Sequence, residues 1–326
     1  MLAVQLKQTF TKIAPSGSKT MKMIPDLPVQ FHGNLTPLTN ALTNQIYQIE
    51  CFSSKTKYLL RIFGPLLSRK YENTILQYLG NSGHPVKIEH IGDGYRIETW
   101  LDHSEVKPHE LPKFKDEIAQ LLGWYHSLSP PIEKTNVIYD GLVAMANDAE
   151  FELPIEYLDL LKDDELVLCH NDLQYGNILK TKKGLVFVDF EYSGYVSRYF
   201  DIANHFCEYM ADYTANEPEL MVHTKFPSKE SRMSFYTSYL GELRNRSVSA
   251  TDEKYEEDQT TDLERFDRQV GLYTLLSHLY WGVWGLYKSK NESRLFDYLK
   301  YGTARLDRFT YLWDSKMGEG NIPLLT

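Results

Sequence analysis

The sequence predicts an α+β fold with two lobes, a small β-rich N-terminal lobe over residues 1–100 and a larger, mainly helical C-terminal lobe over residues 101–326. Three observations lead to this prediction. In the first hundred residues, short apolar runs alternate with turn residues, which is typical of strands. From Phe114 onward, apolar residues recur at helical spacing. The segment 166–189 interrupts that helical pattern with short apolar runs. Two lobes of this kind imply a cleft between them.

The individual elements follow from the same patterns. In the N-terminal lobe we expect strands at 46–51 and 58–63, a helix near 70–79 and a hairpin over 86–100 that turns at Gly92-Asp93-Gly94. In the C-terminal lobe the first helix has an apolar face made by Phe114, Ile118, Leu121, Leu122, Tyr125 and Leu128. The polar stretch 245–262 predicts a solvated loop between helices.

Composition restricts the classes of function. The 326 residues are 42% hydrophobic, which is enough to bury a core, and no apolar run approaches the roughly 18 residues of a membrane-spanning helix. The formal net charge of -9 argues against a nucleic-acid partner, whose phosphates need a basic surface. The three cysteines have no metal-ligand spacing, and their odd number indicates reduced thiols. We therefore expect a soluble, cytoplasmic protein without integral membrane association.

The most informative motif covers residues 166–179, Leu-Val-Leu-Cys-His-Asn-Asp-Leu-Gln-Tyr-Gly-Asn-Ile-Leu. His170, Asp172, Leu173 and Asn177 reproduce the H-x-D-L-x-x-x-N spacing of a protein-kinase catalytic loop. Twelve positions further on, Asp189-Phe190 matches the start of the metal-binding D-F-G motif. Either pair alone suits ordinary turn residues, but the combination favours phosphoryl transfer. Asp172 is then the candidate general base, and His170 is expected to hydrogen-bond the loop backbone.

A hairpin brings the two halves of this motif together. Residues 178–181 and 185–188 are apolar strands separated by Lys182-Lys183-Gly184. If the chain folds back about Lys183, residues whose numbers sum to about 366 face each other, as Asn177 and Asp189 do. Two neighbouring oxygen ligands suit Mg²⁺, a hard cation that is usually held by few protein ligands plus phosphate oxygens.

Candidate nucleotide contacts lie in the N-terminal lobe. Arg61 stands on the second strand, where a kinase lobe carries its phosphate-binding lysine, and Glu72 at the start of the next helix is a candidate partner for it. Small and polar residues between Thr36 and Asn44 are candidates for a loop over the phosphates. Glu98-Thr99-Trp100 ends the hairpin and is the expected hinge, where backbone groups would meet adenine. Taken alone, Arg61 equally suits a solvent-facing strand position.

The sequence resembles the choline/ethanolamine kinase family, a branch of the protein-kinase-like fold, from about Leu38 to about Trp313. Five segments carry the resemblance: residues 170–179, 189–195 (Asp-Phe-Glu-Tyr-Ser-Gly-Tyr), 200–208 (Phe-Asp-Ile-Ala-Asn-His-Phe-Cys-Glu), 278–284 (His-Leu-Tyr-Trp-Gly-Val-Trp) and 296–301 (Phe-Asp-Tyr-Leu-Lys-Tyr). The resemblance implies transfer of the ATP γ-phosphoryl group, with Mg²⁺, to choline or ethanolamine. It leaves a homodimer open.

The resemblance also implies residue roles. Asp172 would be the catalytic base, Asn177 and Asp189 the magnesium ligands, and Asp201 the brace of the catalytic loop. An aromatic pocket for a quaternary ammonium group, with one acidic wall, would be formed by Tyr213, Trp281, Trp284, Tyr301 and Glu208. The two tryptophans are three residues apart and so share a helix face, and aromatic faces attract a quaternary ammonium by cation–π interaction. Without the resemblance, the same stripe would be interpreted as core.

Three departures from the family pattern stand out. The phosphate loop, usually Thr-Gly-Gly-Leu-Thr-Asn, reads Thr-Asn-Ala-Leu-Thr-Asn over 39–44, and the lost glycines limit close backbone approach to phosphate. Tyr199 stands where a small residue is common, and Tyr209 replaces a tryptophan.

Several alternatives remain open at this point. Gln174-Tyr175-Gly176 and Cys207 look more like the choline branch, but ethanolamine kinases share the tryptophan pair, so dual activity stays open. An aminoglycoside or sugar kinase has no need of paired tryptophans. A protein kinase is disfavoured because no Ala-Pro-Glu follows Asp189. A catalytically inactive, kinase-like binding module is favoured only by the altered phosphate loop.

Overall fold

The computed structural model describes residues 27–38, 44–64, 71–159, 165–247, 259–291 and 296–319. The chain divides into two compact units, an N-terminal unit over Met1–Asp102 and a C-terminal unit over His103–Thr326.

An antiparallel five-stranded sheet forms the centre of the N-terminal unit. Its strands stand in the order β1-β2-β3-β5-β4, where β1 is Gly33–Leu38, β2 is Gln45–Cys51, β3 is Lys57–Ile62, β4 is Ile88–Gly92 and β5 is Tyr95–Thr99. The predicted strands and the hairpin are confirmed, and β1 is an additional strand. Its sequence, Gly-Asn-Leu-Thr-Pro-Leu, has too few β-branched and aromatic residues to give a strand signal, and pairing with β2 decides its conformation.

One face of this sheet is covered by apolar side chains. They form a cluster made of Leu27, Phe31, Ile49, Cys51, Leu60, Ile62, Tyr95 and Ile97. Helix α1, Glu72–Asn81, buries Ile75, Leu76 and Leu79 at helical spacing, as the sequence predicted. The expected first residues of this helix, around Lys70, lie outside the described residues.

Short strands in the C-terminal unit place the catalytic loop. Strand β7, Leu166–Cys169, pairs antiparallel with β10, Gly194–Ser197. Strand β8, Ile178–Thr181, pairs with β9, Gly184–Phe187, and with the two-residue strand β6, Ser104–Glu105. The loop 170–177 therefore leaves one small sheet and enters another, so both of its ends are fixed by strand pairing.

Helices make up most of the described part of the C-terminal unit. They are α2 (Leu111–His126), α3 (Val137–Ala149), α4 (Ile155–Asp159), α5 (Arg198–Glu208), α6 (Lys229–Ser247), α7 (Gln259–Asn291) and α8 (Tyr298–Glu319). Across the described residues, no helix combines the length and the apolar content needed to cross a bilayer.

The prediction of a solvated loop over 245–262 is wrong at both ends. Helix α6 continues to Ser247 and α7 starts at Gln259, while 248–258 lie outside the described residues. The last turn of α6 is polar because it faces water, and an ion pair between Arg246 and Glu242, one turn apart, supports it. The low apolar content, which suggested a loop, results from the exposure of a helix end.

Helices α7 and α8 approach each other at glycines. A Cβ atom on Gly285 would lie only 2.6 Å from the Cα atom of Gly302, and one on Gly302 would lie 2.8 Å from the carbonyl oxygen of Gly282. Such separations admit no side chain, so the two backbones meet directly. The contact brings Trp284 on α7 next to Tyr301 on α8, with ring centroids 6.1 Å apart.

Several histidines are buried in the core of the C-terminal unit, among them His205 on α5. Its Nδ1–H donates to the carbonyl oxygen of Leu173 at 2.8 Å, and its Nε2 has no hydrogen-bond partner among the described residues. Complete burial lowers the pKa of His205 to about 4. The ring is therefore neutral in the folded protein at pH values where the unfolded chain already takes up a proton.

This difference predicts acid sensitivity. Because the folded pKa of His205 lies below the unfolded value of 6.5, stability is complete above pH 6.5 and falls as the pH drops toward 4. From pH 7.5 to pH 5, this group should lower the free energy of unfolding by about 2 kcal/mol. His205→Asn keeps a donor for Leu173 but does not titrate, so it should reduce that loss by a similar amount.

Urea unfolding of both proteins at the two pH values, followed by tryptophan fluorescence, measures the effect. Four of the five tryptophans belong to the C-terminal unit, so the signal reports mainly on that unit. An unchanged pH dependence in His205→Asn would contradict the assignment, whatever the variant's own stability.

Candidate active site

Asp201, in the first turn of α5, holds the start of the catalytic loop. Its carboxylate accepts hydrogen bonds from the backbone N–H groups of His170 at 2.6 Å and Asn171 at 2.9 Å, and lies 3.0 Å from Nε2 of His126. Burial alone would raise the pKa of Asp201, but the hydrogen bond from His126 and the nearby donors outweigh it and lower the pKa. Asp201 therefore contacts the backbone at the start of the loop, and its role as a brace stays a prediction.

His126, Cys169 and Asp201 together place three potential metal-ligand atoms within 4.8 Å of one another. The Asp201 oxygens are already used by backbone donors, and His126 is also bonded to the Tyr239 hydroxyl at 2.8 Å. Burial raises the pKa of the Cys169 thiol, which disfavours the thiolate that a metal would need. This cluster is therefore a satisfied structural network.

His170 makes two hydrogen bonds to backbone groups in and near the loop. Its Nε2–H donates to the carbonyl oxygen of Val188 at 3.0 Å, and its Nδ1 accepts from the backbone N–H of Asp172 at 3.3 Å. Burial lowers the pKa of His170, so the ring stays neutral and keeps one donor and one acceptor. The imidazole thus ties the loop to the strand end that precedes Asp189.

Asp172 and Asn177 are in direct contact. The Nδ2 of Asn177 donates to the Asp172 carbonyl oxygen at 2.8 Å and to its Oδ2 at 3.0 Å. These bonds orient the Asp172 carboxylate, and they direct the amide oxygen of Asn177 away from Asp172. The preceding residue, Asn171, adopts a left-handed backbone with φ of 67°, which asparagine tolerates well.

The hairpin places Asp189 beside Asn177. Ile178 pairs with Phe187 and Thr181 with Gly184, so the paired numbers sum to 365, one less than the sequence estimate. The N–H of Val188 donates to the carbonyl oxygen of Asn177 at 3.0 Å, which leaves Asp189 next along the chain. Asp189 has φ of 68°, and buried Phe190 stacks on Tyr125 with centroids 5.8 Å apart.

Four carboxylates give this part of the site a strongly negative character. Burial raises the pKa of Asp172 well above its usual range, and the charges of Glu208, Asp189 and Glu191 raise it further, while the Asn177 hydrogen bond opposes them. A carboxylate in such surroundings attracts protons and cations. Both properties suit a general base beside a divalent metal site and a cationic substrate.

The predicted aromatic pocket residues form two linked groups. The rings of Trp281 and Trp284 lie 5.3 Å apart at 73°, and Trp284 lies edge-on to Tyr301. The Tyr213 hydroxyl donates to Oε2 of Glu208 at 2.8 Å. Glu208 also interacts electrostatically with Tyr301 and Asp172, which links both groups to the candidate general base.

The charges around this pocket are balanced by residues on α7 and α8. Burial raises the pKa of Glu208, and the Arg305 guanidinium and the Tyr213 hydrogen bond offset this only in part, so the pKa stays raised. The ammonium group of Lys288 lies 5.7 Å from the Trp284 ring centroid, so this ring already takes part in a cation–π contact.

Sequence reasoning missed residues that connect these groups. The Tyr192 hydroxyl accepts from Nε1 of Trp284 at 3.1 Å, and its ring lies 5.3 Å from Trp281. Asn204 accepts from Nε1 of Trp281 at 2.8 Å. The partners are separated by 92 and 77 positions along the chain, so no local spacing reveals them. The only available signal was their place inside the Asp-Phe-Glu-Tyr and Asn-His-Phe-Cys-Glu segments.

In the N-terminal unit the expected pairing of Arg61 with Glu72 is replaced. Arg61 donates to Glu98 at 3.0 Å, and Glu72 pairs with Arg96 at 2.6 Å. Arg96 also donates to Glu98 at 2.7 Å, so all four charges form one buried network. Strand register explains the change, because Arg61 lies opposite Arg96 and Glu98 follows two residues later on the same face.

The other candidate nucleotide contacts are placed as follows. Asn44 is buried, and its Oδ1 accepts from the backbone N–H of Gly64 at 3.4 Å. Trp100 donates from its Nε1 to Asp102 at 3.1 Å. The altered phosphate loop, 39–43, lies outside the described residues. The assignment of Arg61, Glu72, Asn44, Glu98 and Trp100 to ATP binding stays a prediction.

Comparison with known proteins gives a consistent result. A family model described as choline/ethanolamine kinase matches residues 35–161 and 149–310. The probable choline kinase 2 of Arabidopsis thaliana is 32% identical over 304 residues, covering 84% of this chain and 83% of that protein. The choline/ethanolamine kinase of Homo sapiens is 29% identical over 283 residues, covering 76% of this chain and 70% of that protein.

The fold has a solved counterpart. The crystal structure of choline kinase from Cryptosporidium parvum Iowa II superimposes with a TM-score of 0.71 at 22% identity, covering 89% of this chain and 92% of that one. This likeness confirms the two-lobed, protein-kinase-like α+β fold that the sequence predicted. The family match covers most of the chain, and it includes the catalytic-loop and Asp-Phe segments whose geometry is given above. The chain belongs to the choline/ethanolamine kinase family, and it is therefore a kinase that uses ATP as its co-substrate.

Proposed function

We propose that this protein transfers the γ-phosphoryl group of ATP to the hydroxyl of choline, forming phosphocholine for phosphatidylcholine synthesis. The observation that carries the proposal is the aromatic group of Trp281, Trp284 and Tyr301, with Glu208 close enough to Asp172 for their charges to interact. Aromatic faces and a carboxylate suit a quaternary ammonium, and Asp172 would stand at the hydroxyl end of such a substrate.

The catalytic roles follow from the loop. Asp172 accepts or orients the proton of the choline hydroxyl, and Asn177 fixes the direction of its carboxylate. His170 and Asp201 hold the backbone that leads into Asp172, so the base is positioned before substrate arrives. Preorganisation of this kind lowers the entropy cost of reaching the reactive geometry.

The residues present fit Mg²⁺. Asn177 uses its Nδ2 toward Asp172, so its amide oxygen is directed elsewhere, and Asp189 stands at the adjoining hairpin position. Amide and carboxylate oxygens are the donors that Mg²⁺ prefers. When bound by Asn177 and Asp189, the metal would supply charge neutralisation for the ATP phosphates.

Ethanolamine is the second candidate substrate, and a specific observation favours it. The Glu208–Tyr213 pair offers oxygen acceptors beside the aromatic group, and a primary ammonium can hydrogen-bond to them where a quaternary one cannot. A single pocket with both aromatic faces and oxygen acceptors supports dual activity, with choline favoured by the number of rings.

The two units would have different roles. The N-terminal unit would bind the nucleotide, with the Arg61 network at the phosphates, and the C-terminal unit would carry the catalytic loop and the amino-alcohol pocket. A cytoplasmic location and a homodimer stay predictions.

Replacement of the base tests the chemistry. Asp172→Asn keeps the size of the side chain and an oxygen for Asn177, so folding and ATP binding should persist. The turnover number should fall about 10²- to 10⁴-fold, the usual contribution of a general base. Steady-state kinetics and calorimetric ATP binding measure both effects, with exposed Asp314→Asn as the control. Near wild-type turnover in Asp172→Asn would remove Asp172 from the mechanism.

Metal dependence tests Asn177 and Asp189. ATP should bind at least about tenfold more tightly with MgCl₂ than with EDTA, because a metal held by Asn177 and Asp189 would neutralise the charge of the phosphates. In Asp189→Ala this difference should shrink to about twofold or less. Isothermal titration calorimetry provides the measurement without turnover. A full metal effect in the variant would contradict the ligand assignment.

Substrate choice tests the pocket. Trp284→Ala should raise the KM for choline about tenfold or more, because one desolvated cation–π contact is worth up to about 2 kcal/mol. The KM for ATP should barely change. Ethanolamine should lose less from Trp284→Ala and more from Glu208→Gln, since it can hydrogen-bond to the carboxylate.

Steady-state kinetics of both variants with both substrates decide this point. Trp313→Ala is the matched control, because that tryptophan packs against Phe309 and Tyr157 instead. If Trp284→Ala leaves the choline KM unchanged, the tryptophans are ordinary core and choline loses its main physical support.

A further inference from the structure

Asn204 is a completely buried asparagine whose polar atoms all have partners. It lies on α5, one turn after Asp201. Its Oδ1 accepts from Nε1 of Trp281 and from the Ser277 hydroxyl, each at 2.8 Å. Its Nδ2 donates to the carbonyl oxygen of Asn171 at 3.1 Å. One side chain therefore contacts both the aromatic pocket and the catalytic loop.

Donor chemistry fixes the orientation of this amide. The indole N–H of Trp281 is a donor only, so the atom facing it must be the amide oxygen. The Ser277 hydroxyl accepts from Arg305 Nη2 at 2.8 Å, so its own proton points to the same oxygen. The amide nitrogen is then directed to the Asn171 carbonyl. If the amide were flipped, its NH₂ group would face the N–H of Trp281 and the hydroxyl proton of Ser277, and no acceptor would be left for either.

The contact at Asn171 matters because it fixes a peptide plane. The C=O of Asn171 and the N–H of Asp172 belong to the same planar unit. Asn204 holds the carbonyl end, and Nδ1 of His170 accepts from the N–H end at 3.3 Å. With both ends held, the plane that leads into Asp172 cannot rotate, and the direction of its side chain is set.

We infer that Asn204 is a positioning residue that holds the Trp281 indole and the Asp172 peptide in one fixed arrangement, so that the ammonium pocket and the general base keep their spacing. The inference rests on the proposed function of the pocket. Neither aspartate nor leucine can replace the side chain, because the site needs an acceptor for two donors and a donor for one carbonyl, all without charge. A displacement of about 1 Å at a reacting group costs up to about 10²-fold in rate.

The first test is Asn204→Leu, which keeps the volume and removes all three hydrogen bonds. The turnover number with choline should fall about ten- to hundredfold, the choline KM should rise severalfold, and the ATP KM should stay within twofold. Circular dichroism and the thermal midpoint show whether the variant is folded. If folded Asn204→Leu keeps a turnover number within twofold of wild type, the inference is overturned.

A double-mutant cycle tests whether Asn204 acts through Trp281. Trp281→Phe keeps an aromatic ring but removes the five-membered ring of the indole together with its N–H, the donor to Asn204. In the wild-type background it should raise the choline KM about threefold or more, and in the Asn204→Leu background by less than about twofold, because contacting residues couple. Equal effects in both backgrounds would overturn the link to the pocket.

If replacement of Asn204 prevents folding, a second test leaves Asn204 in place and removes its partners. Ser277→Ala and Trp281→Phe together remove both donors to Oδ1, and the double variant should lose more turnover than the product of the single effects. Simple multiplication of the two effects would overturn the inference. Thr274→Val is the matched control on the same helix, because within the described part of the chain its hydroxyl donates to the Val270 carbonyl alone, and its loss should leave turnover unchanged.

The test of the pocket stays separate. If Trp284→Ala raises the choline KM but folded Asn204→Leu keeps its turnover, the inference alone is overturned. If Trp284→Ala has no effect, the pocket assignment fails, and the turnover of Asn204→Leu still decides whether Asn204 sets the catalytic loop.

Discussion

The two backbone hydrogen bonds that Asp201 accepts from His170 and Asn171 are the constraint on which the active site depends. Asp201 lies on α5 together with Asn204 and Glu208, at positions i, i+3 and i+7, so all three face the same side of a rigid helix. This single face contacts the catalytic loop, accepts from the indole of Trp281 and carries Glu208, the proposed acidic wall of the pocket. Distances between these functions are thus set by helix geometry, which packing cannot easily change.

The pocket itself depends on the close approach of α7 and α8. Because Gly285 and Gly302 meet without side chains, the aromatic residues beside them are brought into ring contact instead of being held apart. The indole N–H groups of Trp284 and Trp281 donate to Tyr192 and Asn204, so these two rings are fixed by hydrogen bonds as well as by packing. In the proposed pocket, an aromatic surface held in this way would bind a cation without a further entropy cost for ordering its side chains.

Buried charge has a different role in the N-terminal unit. Arg61, Glu98, Arg96 and Glu72 are all shielded from water, and each would be costly to bury alone. Although burial would raise the pKa of Glu98, the two guanidinium groups outweigh it and lower the pKa. Because the partners lie on β3, β5 and α1, the network fixes the strand that carries Arg61 relative to the helix that follows it.

The sequence by itself determined the strands β2 to β5, the apolar face of α1, the catalytic-loop motif and its hairpin, because these depend on residues close together in the chain. The residue numbers paired across the hairpin sum to 365 instead of the expected 366, because the turn consists of Lys182 and Lys183 alone and Gly184 already pairs with Thr181. Strand β1, the ends of the 245–262 segment and the partner of Glu72 were decided by tertiary structure. The same holds for Asn204 and Tyr192, whose roles arise from hydrogen bonds across more than 70 positions. Local sequence patterns indicate burial and turns. They do not indicate which donor bonds to which distant acceptor, because that depends on how the helices pack.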